Sequence, residues 1–172
     1  MSIRMAVTGK PGVGKSTLVM TVLDRLDCVV GGMLTKDVRV RGRRVGFELQ
    51  DLRCGALGTL ASLEGAGPRL GRYHVNLHDL EEIGAAAIED AILRADLVVI
   101  DEVGAMELLS SRFVEAVETA LGSEKSMLVV VQAKSRHPLA MRIRDSFLMV
   151  TVTKDNRDEL AGDIAEKIDS AL

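Results

Sequence analysis

Two hydrophobic periods alternate along this chain. Ile3 to Val7 is a short apolar run ended by Gly9, the pattern of a strand, and Ser16 to Asp27 carries Leu18, Val22 and Leu26 at helical spacing. Asp79 to Ala95 repeats the helical period with Leu80, Ile83, Ala87, Ile88, Ala91 and Ile92. Leu97-Val98-Val99-Ile100 is continuously apolar, as in a strand covered on both faces. Met106, Leu109, Phe113, Val117 and Leu121 trace another helix, and Met127–Val131 and Phe147–Val152 two further strands. A last helix carries Leu160, Ile164 and Ile168, with Asp155 as its expected N-cap. Strands alternating with helices predict a parallel sheet flanked by helices.

One stretch has a different texture. Met33–Val40 and Arg43–Gln50 read as strands, the second alternating Val45, Phe47 and Leu49 with polar neighbours. Arg41-Gly42 between them predicts a tight turn, hence a β-hairpin. Cys54–Gly71, rich in glycine and carrying Pro68, is expected to be loop, with a short strand over Arg72–Leu77. No repeat or linker divides the chain, so its 172 residues are expected to form a single domain, residues 1–172.

Composition narrows the function classes. With 47% hydrophobic and 27% charged residues, the chain is expected to fold as an ordinary globular protein. Twenty-two Lys and Arg against 25 Asp and Glu leave a net charge of −3, which argues against a general grip on nucleic acid. No apolar run approaches the roughly 18 residues of a membrane span. Neither the N-terminus nor the two cysteines, Cys28 and Cys54, suggests secretion or a disulfide framework, so a cytoplasmic location is expected. His74, His78, His137 and the cysteines have no metal-ligand spacing.

The chemistry concentrates after the first strand. Gly9-Lys10-Pro11-Gly12-Val13-Gly14-Lys15-Ser16 is a complete G-x-x-x-x-G-K-[ST], followed by Thr17, between a predicted strand and a predicted helix. Such a loop curls so that its amides face phosphate oxygens, Lys15 reaches the β- and γ-phosphates, and the Ser16 hydroxyl is a hard ligand for Mg²⁺. The helix behind it adds its positive end. This P-loop predicts a nucleoside triphosphate ligand.

A second acidic element follows the apolar run, Asp101-Glu102-Val103-Gly104. At the carboxyl edge of a parallel sheet Asp101 would support Mg²⁺, Glu102 would polarise a water for in-line attack, and Gly104 would let backbone approach the γ-phosphate. The same four residues satisfy the D-x-x-G of small GTPases. The guanine-reading N/T-K-x-D is absent, because Thr153-Lys154-Asp155-Asn156 puts its aspartate one residue early, and Thr35 lies within the predicted hairpin.

Other signals have plain readings beside functional ones. Arg136, Arg142 and Arg144 could neutralise γ-phosphate charge or line a solvated helix face. Gln132 could orient water or be a satisfied polar residue. Arg39, Arg41, Arg43 and Arg44 could meet an acidic partner or simply blunt a sheet edge.

Taken in order, Gly9–Thr17, Val45-Gly46-Phe47, Gly71-Arg72-Tyr73, Val99–Leu108 and Val152–Arg157 resemble the nucleoside-triphosphatase family of thermophilic prokaryotes, called cancer-related nucleoside-triphosphatase in animals. The likeness spans nearly the whole chain, and its most specific part is Asp101-Glu102-Val103-Gly104-Ala105-Met106-Glu107-Leu108. It implies a RecA-like P-loop core and Mg²⁺-dependent hydrolysis of several triphosphates with little base preference. Gln132-Ala133-Lys134 departs from the Thr and His often found there in the family.

The sequence therefore predicts an α/β P-loop fold, mostly parallel, with an inserted hairpin. The predicted reaction is hydrolysis of ATP, GTP, CTP or UTP, slow for want of a fixed arginine finger. Two other classes stay open: a small nucleotide or nucleoside kinase with Arg136–Arg144 as its lid, and a nucleotide-dependent switch whose arginine hairpin meets a protein partner.

Overall fold

The computed structural model describes residues 1–172. Its strands are β1 (Arg4–Thr8), β2 (Val30–Val40), β3 (Arg43–Asp51), β4 (Leu57–Ser62), β5 (Arg69–Leu70), β6 (Tyr73–Val75), β7 (Leu97–Val103), β8 (Ser126–Val131) and β9 (Leu148–Thr151). Its α-helices are α1 (Lys15–Leu23), α2 (Leu77–Asp79), α3 (Ala86–Arg94), α4 (Ser111–Gly122), α5 (Pro138–Ser146) and α6 (Arg157–Ala171). A π-helical segment, Leu80–Ala85, joins α2 to α3, and a 3₁₀ turn, Glu107–Leu109, precedes α4.

All nine strands form one sheet in the order β5-β6-β4-β3-β2-β7-β8-β1-β9. From β2 to β9 the neighbours are parallel, and from β2 to β5 antiparallel. The parallel part is buried on both faces. Met5, Val7, Leu97, Val99, Leu128 and Val130 pack under α1 and α6, with Leu18, Val22, Ile164 and Ile168. Ala6, Val98, Ile100, Met127 and Val129 face the other way, onto Ile88, Phe113, Val117 and Ile143 of α3, α4 and α5. Period-two alternation inside apolar runs thus assigns each residue to one of two cores.

The hairpin is present with its turn at Arg41-Gly42, Arg41 having φ 51°. It is not an isolated insertion. Val30–Met33 of β2 pairs with β7 in the parallel sheet, and the rest of β2 continues outward with β3. The stretch Cys54–Gly71, expected to be loop, contains β4 and β5, which extend the sheet. Glycines weaken a strand signal in the sequence, but pairing to β3 supplies the ladder, with a register shift at Phe47/Glu48.

Three helix ends differ from expectation. α1 stops at Leu23, because Arg25 and Leu26 bond to Val22 and Leu23 in tight turns. The stripe from Met106 is interrupted: Ser110 accepts from the Phe113 amide at 3.1 Å and starts α4 afresh. Asp155 does not cap α6. Asn156 occupies that position and turns its side chain backward, accepting from Thr153 N at 2.7 Å and donating to Thr151 O at 3.0 Å.

Candidate nucleotide site

The carboxyl ends of four neighbouring strands, β7, β8, β1 and β9, converge on the glycine loop. The loop follows β1 and opens α1 through Gly14, whose φ of 100° is left-handed and strained for any L side chain. Lys15 folds over the loop and donates to Gly9 O at 2.7 Å and Lys10 O at 3.3 Å. Lys10, Pro11, Gly12 and Thr17 are exposed, Val13 is buried in the core beneath, and Ser16 is half-buried at the first turn of α1.

Asp101 stands at the end of β7, 2% exposed. Consecutive strand residues ordinarily face opposite sides. Here the register of β7 against β8 shifts between Asp101 and Val103, and both Asp101 and Glu102 feel the Lys15 ammonium. Burial pushes the Asp101 carboxyl up to about 7, opposed by hydrogen bonding with Ser16, raised further by Glu102 and lowered by Lys15. Burial also raises Glu102, with Lys15 and a hydrogen bond from Gln132 pulling it back.

Asp101 Oδ2 is a buried polar atom without a partner. An orphaned carboxylate oxygen beside a serine hydroxyl is a mismatch that a hard cation relieves. No group of three or more His, Cys, Asp or Glu side chains is gathered to hold a metal. A cation here would have few protein ligands and would rely on phosphate and water oxygens, the habit of Mg²⁺. Ser16 and Asp101 fit that ion.

Val103 is buried in the sheet, and the Gly104 N–H donates to Glu107 Oε2 at 3.2 Å. Arg144 donates to Gln132 O at 2.8 Å and also to Ser135 O, bracing the turn after β8. Arg136 and Arg142 are exposed. The Gln132 amide lies near enough to Glu102 to oppose the rise of that carboxyl.

Two neighbours escaped the sequence reading of the site. Arg157, first residue of α6, lies against the glycine loop: a Cβ on Gly14 would be 2.7 Å from its Nη1, which also donates to Val13 O at 3.4 Å. Its signal was topological, since β9 borders β1 and sets the start of α6 beside the loop. Glu107 belonged to the most specific run of the sequence, yet nothing in its spacing showed that it would be buried against Gly104.

Comparison with known proteins agrees with this geometry. Residues 4–165 match the profile of the NTPase family. The nucleoside-triphosphatase THEP1 of Methanosarcina acetivorans is 52% identical over 169 residues, covering 96% of each chain. Its counterpart from Methanopyrus kandleri is 41% identical over 174 residues, 98% of this chain and 96% of that one. Among solved structures, THEP1 of the hyperthermophile Aquifex aeolicus superposes with a TM-score of 0.87 at 29% identity, over 96% of this chain and 99% of that one. A human cancer-related nucleoside triphosphatase superposes at 0.80 with 31% identity, over 99% and 100%. A P-loop on the parallel edge, an acidic pair beside it and likeness along nearly the full length have one common explanation: the chain belongs to the NTPase family.

Proposed function

We propose that this protein is a Mg²⁺-dependent nucleoside-triphosphatase that converts NTP and water to NDP and phosphate at the Lys15–Asp101–Glu102 site. The observation that carries the site assignment is the pairing of a buried carboxyl group, Asp101, and a half-buried one, Glu102, with Lys15 at one end of a glycine loop. The relatives' names carry the activity.

Loop amides from Gly9 to Thr17 cradle the phosphates, and Lys15 leaves its carbonyl partners for the β- and γ-oxygens. Ser16 and Asp101 would hold Mg²⁺, which would supply positive charge against the phosphates. Glu102 takes a proton from water as the water oxygen bonds to the γ-phosphorus and the bond to the β-bridging oxygen breaks. Gln132 aligns the Glu102 carboxylate through their hydrogen bond.

Turnover by the protein alone is slow, because Arg144 is tied to two loop carbonyls and no guanidinium is committed to the γ-phosphate. Base selectivity is low. The Asn156 amide, in the segment where a guanine-reading motif is absent, is bonded to Thr153 and Thr151. The setting is the cytoplasm, in keeping with two free thiols, Cys28 and Cys54, and with no helix long and apolar enough to cross a membrane.

The test is phosphate release from ATP, GTP, CTP and UTP with Mg²⁺, for the native protein and Glu102→Gln. Release from several triphosphates, reduced about 10²–10⁴-fold in the variant with nucleotide binding retained, is the expected result. Tight binding with no release from the native protein would move the assignment to a kinase lacking its acceptor.

A further inference from the structure

Glu107 is a glutamate inside the protein, 2% exposed, and the reaction above gives it no task. Acidic side chains are almost never fully buried unless paired, since removing one from water is costly. Glu107 has no cationic partner among the ion pairs of the structure. Its Oε2 accepts the Gly104 N–H at 3.2 Å. Backbone bonds close the same turn, Leu108 N to Gly104 O at 3.0 Å and Ser110 N to Glu107 O at 3.1 Å. Ser110 then caps α4 and donates to Glu81 at 3.0 Å. Glu107 thus sits at the joint where β7, carrying the acidic pair, turns into α4.

Gly104 is the hub of that joint. The position a Cβ would take there is 2.7 Å from Glu102 Oε1, 3.0 Å from Glu107 Oε2 and 3.1 Å from Gln132 Nε2. Three polar side-chain ends therefore gather around one α-carbon, and a Cβ there would displace them. Burial first, and the Glu102 charge next, push the Glu107 carboxyl well above the usual carboxylate range, while its Oε2 accepts the Gly104 N–H. A hydrophobic residue would fill this joint without the desolvation cost, but it could not accept that bond.

We propose that Glu107 is a positioning residue for hydrolysis: by pinning the Gly104 amide it fixes the turn after β7, and so holds the Glu102 carboxylate and the Gln132 amide converged beside Lys15. The inference rests on the hydrolytic reading of the site. It assigns Glu107 no contact with nucleotide. Its removal acts on kcat through the aim of Glu102, because misplacement of a reacting group by about 1 Å can cost 10²-fold.

Two variants separate positioning from bulk structure. Glu107→Gln keeps the shape and an accepting oxygen, whereas Glu107→Leu keeps the volume and removes the acceptor. Phosphate release, affinity for Mg-ADP, thermal midpoint and hydrogen exchange at the Gly104 amide are measured for both. The expected result is a Gln variant within about threefold of native kcat, with the Gly104 amide still protected. The Leu variant should lose about 10- to 100-fold in kcat with Mg-ADP affinity within about twofold of native and the Gly104 amide exchanging at least tenfold faster. Native kcat in the Leu variant overturns the proposal, as does equal loss in both variants, which would mean that the carboxyl group itself reacts. Loss of kcat together with Mg-ADP affinity or folding also overturns it, since that is a structural defect. Silence from the native protein defeats the hydrolytic reading instead, and the exchange measurement then decides the pinning alone: unchanged protection in the Leu variant refutes it.

Discussion

The two halves of the sheet share strand β2 and one hydrophobic core, but they differ in how far their strands are covered. In the parallel half every residue of β8, Ser126–Val131, is buried, and the neighbouring strands are covered by helices on both faces. In the antiparallel half the outer end of β2, from Lys36 to Val40, is exposed throughout. There the contacts are Arg39 and Arg44 on Asp37, and Arg44 and Arg72 over the rings of Phe47 and Tyr73. Every candidate site residue comes from the parallel half: the glycine loop after β1, the acidic pair at the end of β7 and Gln132 after β8. A strand fixed on both faces delivers its carboxyl end to a defined point, which is what in-line chemistry needs. A strand fixed on one face by screened ion pairs does not.

If that contrast is right, the largest effects lie at the loop. Lys15→Ala should lower phosphate release by about three orders of magnitude, since it removes the one cation beside both carboxyl groups. Its thermal midpoint should stay near native, because the Lys15 ammonium is bonded only to carbonyls at the rim of the loop. A variant retaining a tenth of native activity would place the charge stabilisation elsewhere.

A smaller effect should appear in stability. Burial raises the Asp101 carboxyl of the folded, metal-free chain to about 7, well above the ordinary range of an aspartate. The folded state therefore holds more protons than the unfolded state across that window, and stability falls as pH rises through it. Between pH 5 and 7.5 the fall attributable to Asp101 is about 3 kcal/mol. Glu102 and Glu107, raised by burial, act in the same direction. Urea unfolding without metal should show this slope, and it should be shallower in Asp101→Asn. A flat profile in the native protein would mean that Asp101 is ionised in the folded chain and that its burial is answered by a partner.

The division between the halves also explains what the sequence could tell. Runs such as Leu97–Ile100 and Met127–Val131 were readable because full burial leaves no polar position to blur them. Gly9–Ser16 was readable because phosphate chemistry dictates each residue type. β4 and β5 were not, since Gly58 within β4 and Gly65 and Gly67 between the two strands read as loop, and only pairing to β3 and β6 makes 57–62 and 69–70 sheet. The halt of α1, the fresh start of α4 at Ser110 and the backward turn of Asn156 depend on single hydrogen bonds that no periodicity encodes. Within the site, residue types were legible and their alignment was not. The register shift at Glu102 and the burial of Glu107 are tertiary facts, set by β8 and α4 packing against β7.

The smallest predicted effect tests the other side of the contrast. Arg44 donates to Asp37 from Nη2 at 2.8 Å and Nε at 3.0 Å, and its guanidinium lies 5.3 Å from the Phe47 ring centre. That ring meets Tyr73 edge-on at 5.1 Å, under Arg72. With Arg44 and Asp37 side chains 35% and 38% exposed, water screens the ion pair, so Arg44→Ala should cost about 1 kcal/mol in urea unfolding, ring contact included. Phosphate release should stay within about twofold of native. The route by which it could change is β2, whose inner residues pair with β7 two positions before Glu102 and earlier. A tenfold loss of turnover in Arg44→Ala would mean that this shared strand transmits strain from the extension to the acidic pair. The antiparallel half would then be part of the catalytic scaffold, and the contrast between the halves would fail.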